Sequence, residues 1–146
     1  MKRDNRPTIF LIEEDDETRR PLVSNLRSYG YHVIVAVDEE DALERVGGGN
    51  VAADLMLVNL VLTTVEQALR AGRRVREHAK YDGHTPLVVM PEKYGKDVEG
   101  TNVNVGGNDW VLYLGEEPGQ LQDLLASLLK SVTAEGEGRP GNGNNP

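Results

Sequence analysis

The chain predicts a single α/β domain in which five parallel strands alternate with helices wound over both faces of one sheet, a (βα)5 doubly wound design. From Thr8 onward, short β-rich apolar runs alternate with longer amphipathic segments, the pattern of strand–helix–strand units. The middle runs, such as the one within 54–59, are apolar without alternation, as strands covered on both faces should be. A length of 146 residues suits one domain, which buries about two thirds of the surface its unfolded chain would expose.

The five strand candidates are "TIFLI" (8–12), "HVIVAV" (32–37), "DLMLVN" (54–59), "PLVVM" (86–90) and "WVLYL" (110–114). The first helix lies within 16–29, with Asp15 or Asp16 as its cap, Gly30 as its stop, and Leu22, Val23, Leu26 and Tyr29 inward. Pro21 predicts a late start or a kink there. The second helix opens at Asp38, with Asp41 three residues on, and stops at the glycines 47–49. A third runs from Thr64 to about Ala79 with Val65, Ala68, Leu69, Gly72 and Val75 inward, and the last carries the apolar stripe Leu121, Leu124, Leu125, Leu128, Leu129 and Val132.

The fourth crossover, "PEKYGKDVEGTNVNVGGND", contains four glycines and several β-branched or amide residues, so its helix is expected to be short, frayed or missing. Residues 1–7 read as a flexible N-terminus, 8–132 as the folded domain, and 133–146, rich in Gly, Asn and Pro, as a disordered tail.

The bulk chemistry excludes several function classes. There are no cysteines, hence no disulfides, thiolate metal sites or thiol nucleophiles. A formal charge of −8 argues against nucleic-acid binding. No apolar signal core or membrane-spanning run is seen, so the expectation is a soluble, cytoplasmic protein that meets no membrane. Arg70, Arg73, Arg74, Arg76 and Lys80 crowd one segment, which reads as a solvated helix face in preference to a docking patch. His32, His78 and His84 have no ligand spacing.

Ligands of open parallel sheets bind at the carboxyl ends of the strands, beside the point where strand order reverses. The residues there are "EEDDE" (13–17), Asn59, Pro91 with Glu92, and Tyr113 with Leu114. Asp15, Asp16 and Glu17 read as first-turn acids that complement a helix dipole; for Glu13 and Glu14, structural and functional readings are equally open.

With these motifs in order, the span from about Thr8 to Val132 resembles the receiver domain of bacterial two-component response regulators. The acidic pair after the first strand, "ADLMLVNL", "TPLVVM" and "GGNDWVLYL" carry the resemblance. It implies the flavodoxin-like, CheY-like strand order 2-1-3-4-5. It also implies phosphoryl transfer, in which a strand-3 carboxylate is the nucleophile, a divalent metal is held with the strand-1 acids, and a hydroxyl and a lysine bind phosphoryl oxygens.

The chain departs from that pattern residue by residue. The phosphoacceptor position is Asn59, which has no anionic oxygen to attack with. The hydroxyl position is Pro91, the small position after it is Glu92, the lysine position is Tyr113 and the following proline is Leu114. Only Glu13 and Glu14 survive, so magnesium should bind weakly or not at all, and Asn59 can cap the acid pair through its amide nitrogen. Trp110 stands where the family has a switch aromatic, and an ordinary core or edge tryptophan reads equally well.

The reading is therefore a non-phosphorylatable pseudo-receiver, not an enzyme, without a cofactor. It would signal by protein contact through the helix 4, strand 5 and helix 5 face, with a homodimer left open. The alternatives are a phosphoryl- or metal-dependent receiver using Glu13 and Glu14, a metal hydrolase on the 13–17 cluster, or a small-ligand sensor in the vacated pocket.

Overall fold

The computed structural model describes residues 5–49, 51–81 and 83–138. Its elements run β1 (Thr8–Glu13), α1 (Asp16–Ser28), β2 (His32–Ala36), α2 (Glu39–Gly47), β3 (Leu55–Asn59), α3 (Val65–His78), β4 (Leu87–Val89), β5 (Asn102–Gly106), β6 (Asp109–Leu112) and α4 (Gln120–Gly138). The sheet order is β2-β1-β3-β4-β6-β5. Its first five strands are parallel and in the expected flavodoxin-like order, with β6 as the predicted fifth strand.

At the fourth crossover, where the helix is expected to be short, frayed or missing, the departure is an added strand. No helix forms there; β5 instead adds to the sheet as an antiparallel sixth strand paired with β6. The local chemistry explains it. In "TNVNVGG", Val103 and Val105 alternate with asparagines, a strand period, and Gly106 and Gly107 have φ of 131° and 54°, which lets the chain reverse tightly into Asp109. Asn104 braces the turn, donating from Nδ2 to the Gly107 carbonyl and accepting the Gly106 N–H.

The helix signals act at other positions as the residue types require. Asp15 accepts the Glu17 N–H, Asp38 accepts the Asp41 N–H, and Thr64 forms a reciprocal capping box with Gln67. Helix α1 starts at Asp16 and runs unbroken across Pro21, so the proline costs it one backbone hydrogen bond without delaying or dividing it. Helix α4 continues to Gly138, six residues past the expected end at 132; residues 1–4 of the expected flexible N-terminus and 139–146 of the expected tail lie outside the described residues.

Two apolar layers sandwich the sheet. One packs Phe10, Ile12, Met56, Val58, Leu87, Val89 and Val111 against α2 and α3, and the other packs Ile9, Leu11, Leu55, Leu57, Val88 and Leu112 against α1 and α4. Alternate residues of each strand serve opposite layers, and that parity decides where each strand-end side chain points.

The arginine-rich helix presents the expected solvated face, with Arg70, Arg73, Arg74 and Lys80 exposed, but three of its arginines are also paired. Arg73 and Arg76 both bind the buried Asp109 at 2.7 Å, Arg76 also donates to the Thr85 carbonyl, and Arg74 grips Glu39 with two bonds. Burial pushes the Asp109 carboxyl up, but the hydrogen bonds and charges of Arg76 and Arg73 outweigh burial and hold it below its ordinary value. The pair ties α3 to the start of β6. Asp109→Asn should destabilise the fold by about 2 kcal/mol in urea denaturation at pH 7. Because the folded carboxyl is depressed, that stabilisation is present above its ordinary pKa and fades as pH falls through the folded value. Wild type and variant should therefore converge in acid, and curves offset equally at every pH would contradict the account.

Candidate functional site

Parallel pairing of β1 with β3 places Glu13 in register with Asn59 at the carboxyl ends of the two central strands. Both side chains continue the α1/α4 layer, where parity sends the residues that follow Leu11 and Leu57. Glu13 is fully buried and Asn59 is 7% exposed. The Asn59 Nδ2 donates to both carboxylate oxygens, at 3.0 Å and 2.9 Å, and the Asp15 backbone N–H donates to Glu13 Oε2 at 3.1 Å. The expected amide cap therefore forms, on Glu13 alone.

Glu14 turns elsewhere. Its Oε1 accepts the Val61 N–H at 2.8 Å and so anchors the loop between β3 and α3. In that loop Leu62 adopts φ of 56° and is 96% exposed, a strained conformation for a leucine that the loop's anchorage sustains. Arg19, which the sequence reading passed over, fastens the loop between β1 and α1: its Nε donates to the Glu13 carbonyl, Nη2 to the Glu14 carbonyl and Nη1 to Asp16. The Asp16 to Arg19 spacing of one helical turn was its only signal in the sequence.

Burial raises the Glu13 carboxyl above its ordinary value, and the hydrogen bonds from Asn59 and Asp15 only partly offset that; the charges of Asp15 and Glu92 push the same way as burial. The two donors nearest the carboxylate are neutral, so its charge is solvated by dipoles, with no counterion among the described residues.

Of the remaining strand-end positions, Leu114 lines the same cleft as this pair and the Glu92 charge reaches Glu13, but Pro91 and Tyr113 lie elsewhere. Pro91 and Glu92 line a separate cleft of about 460 Å³ with Leu60, Thr63, Val65 and Lys93. Tyr113 belongs to the α2/α3 layer and packs edge-on against Tyr94, with centroids 5.4 Å apart. Tyr94, absent from the sequence reading, in turn donates its hydroxyl to the Leu114 carbonyl. Trp110 lies half-buried on the opposite, α1/α4 layer, paired with Val88 on one side and Asn104 on the other. Glu13 and Asn59 instead open onto a cleft of about 570 Å³ between α1 and the 114–121 segment.

The geometry does not fit a divalent metal. Both Glu13 oxygens face N–H donors, a Glu14 oxygen is engaged by the Val61 N–H, and no group of three or more His, Cys, Asp or Glu among the described residues could hold an ion. No helix among the described residues is long and apolar enough to cross a membrane.

No family model matches the chain. Among curated proteins, it is 24% identical over 128 residues to the "Uncharacterized transcriptional regulatory protein YkoG" of Bacillus subtilis, covering 88% of this chain and 52% of that protein. It is 28% identical over 130 residues to "Transcription factor prr1" of Schizosaccharomyces pombe, covering 89% of this chain and 23% of the other. The chain thus spans about half the length of the first and under a quarter of the second. The solved structure of the response regulator protein TrrA from Thermotoga maritima, in complex with Mg(2+)-BeF, superposes with a TM-score of 0.60 at 16% identity, over 84% of this chain and 98% of that one. The fold is that of CheY-like receiver domains.

The raised Glu13 carboxyl sets a pH dependence. A folded pKa above the unfolded one contributes stability that is complete below the ordinary value of 4.5 and is lost as pH rises through the folded value. Glu13→Gln should remove this component, so wild-type stability relative to the variant declines across that window in urea titrations; parallel curves would contradict it. Asn59→Leu, which keeps the volume and loses the donor, should cost about 2 kcal/mol at pH 7 and less at pH 4, where Glu13 is protonated.

Proposed function

We propose that this domain is a pseudo-receiver: a signal-transduction module of the receiver fold that works in the cytoplasm by protein contact, without phosphoryl transfer, catalysis or a metal. The observation that carries the reading is the bidentate hydrogen bond from Asn59 Nδ2 to the buried Glu13. At the strand-end position where phosphoryl transfer needs a carboxylate nucleophile, the amide can only donate to its neighbour or accept.

Two further features support it. Pro91 can supply neither a hydroxyl nor a backbone N–H, and the Tyr113 ring is engaged with Tyr94 on the far layer of the sheet from Glu13. Transition-state charge on a phosphoryl group would meet the buried Glu13 carboxylate, with a neutral phenol, Tyr113, in place of an ammonium. The transcriptional regulators that resemble the chain are consistent with a domain that governs an output elsewhere.

Contact would use the side of the fold built by β6, α4 and the β5 strand that stands in place of a fourth helix. There Val103 and Val105 are 38% and 41% exposed, and Trp110 is half-buried at the base of the strand pair. An antiparallel edge strand differs from a helix in what it offers a partner, since its outward backbone groups are free to pair.

The test is intact mass spectrometry after incubation with magnesium and acetyl phosphate, with Trp110 fluorescence followed during beryllofluoride addition. No mass gain and no saturable fluorescence change are expected; a phosphoryl adduct on wild type would overturn the reading. Asn59→Asp should also fail to give a stable adduct, because Pro91 and Tyr113 still provide no donor. Robust labelling of that variant would show that the strand-3 residue alone disables the site.

A further inference from the structure

We propose that the β5 edge pairs with the β5 edge of a second copy of this chain, antiparallel and centred on Val103, so that the two sheets become one. The inference rests on the contact role proposed above and names its partner. Strand β5 is the outermost strand of the sheet, and every residue in it is exposed. The Tyr113 N–H donates to the Thr101 carbonyl at 2.9 Å, and Val103 lies opposite Val111. In an antiparallel ladder, alternate residues turn both backbone groups to the same neighbour. Val103 therefore spends its groups on β6, while Asn102 and Asn104 present their N–H and C=O groups outward. Edges that must stay unpaired carry lysine, proline or an inward charge, and Asn102–Gly106 has none of these.

The residues select both the partner and its direction. One antiparallel register pairs the two outward residues with each other and stops short of the irregularity between Asn104 and Gly106. It sets Asn102 opposite Asn104 of the second copy, and the reverse, for about four backbone hydrogen bonds between the copies. Val103, 38% exposed in the single chain, then meets its own counterpart. Charge favours the same direction. Glu99, Glu116 and Glu117 cluster with Lys96 beside Gly100 at the amino end of β5. At the other end Arg73 and Arg76 bind Asp109, which pairs with Gly106, and they line one cleft with Arg70, Arg74 and Glu77. An antiparallel pair brings each acidic end beside the arginines of the other copy, whereas a parallel pair would set like against like. One short strand from each copy buries less than a permanent interface does, so the expected dissociation constant is on the order of 100 μM.

The full chain should be followed by sedimentation equilibrium from about 5 to about 500 μM, with amide hydrogen exchange at both ends of that range. The average mass should climb from 16.1 kDa toward twice that value, and the rise should weaken with salt. At the higher concentration the Asn102 and Asn104 amides should exchange roughly threefold more slowly, while the Val103 amide is slow at both. Val103→Lys and Val103→Glu each set like charges face to face and should stay monomeric. An equimolar mixture of the two should associate again, a recovery that misfolded variants would not give. A wild type that remains monomeric, a dimer whose Asn102 and Asn104 amides are not slowed, or folded Lys and Glu variants that do not associate when mixed would each overturn the proposal. A monomer that also takes no phosphoryl group would do so while leaving the contact role standing; a phosphoryl adduct would remove that role itself.

Discussion

A buried carboxylate at the end of a central strand must be solvated by something, and in this fold a neutral amide on the next strand does it. Register makes the arrangement obligatory: β1 and β3 run parallel with Glu13 opposite Asn59, and parity turns both toward the same layer. The loops on either side hang from the same acidic step. Arg19 gathers the Glu13 and Glu14 carbonyls and so fixes the start of α1, while the Glu14 carboxylate holds the Val61 N–H and with it the strained turn at Leu62. Loss of the amide leaves an anion in a site built for dipoles, a costly state in a low-dielectric interior.

The same parity sends the strand-end side chains to different layers of the sheet. Glu13 and Asn59 face the α1/α4 side, Tyr113 is spent on Tyr94 across the sheet, and Pro91 lines a different cleft. The acidic step serves as structural support, holding the loops on either side of it. The fourth crossover has changed in kind as well. Where a helix would cover the sheet, β5 extends it, leaving an uncharged Asn–Val edge on a chain of net charge −8. An edge strand of this kind exposes backbone groups that can pair with another strand, which is where the contact role proposed above would be sought.

Much of this was legible in the residues. Unalternating apolar runs gave away the buried parallel strands, and Asp38, Thr64 and Gly30 marked helix boundaries that the structure reproduces within a residue or two. Asn59 stood out because one amide ended an apolar strand. The hairpin was also written in the chain: "TNVNVGGNDW" alternates with period two and then supplies a glycine turn, but the expectation of a crossover helix made its glycines read as fraying. Other features were not accessible to pattern. That Glu14 turns to the Val61 N–H, that Arg19 clamps two carbonyls and that Arg73 and Arg76 converge on Asp109 depend on three-dimensional proximity, which spacing along one helix does not encode.

The central claim is that Asn59, and no metal, supports the Glu13 charge. It is tested most directly by following the Glu13 side-chain carboxyl carbon by NMR through a pH titration, with and without millimolar magnesium. The account predicts one titration curve, displaced above the ordinary glutamate value and unmoved by magnesium. A magnesium-dependent fall in the Glu13 pKa, saturating with the ion, would contradict it.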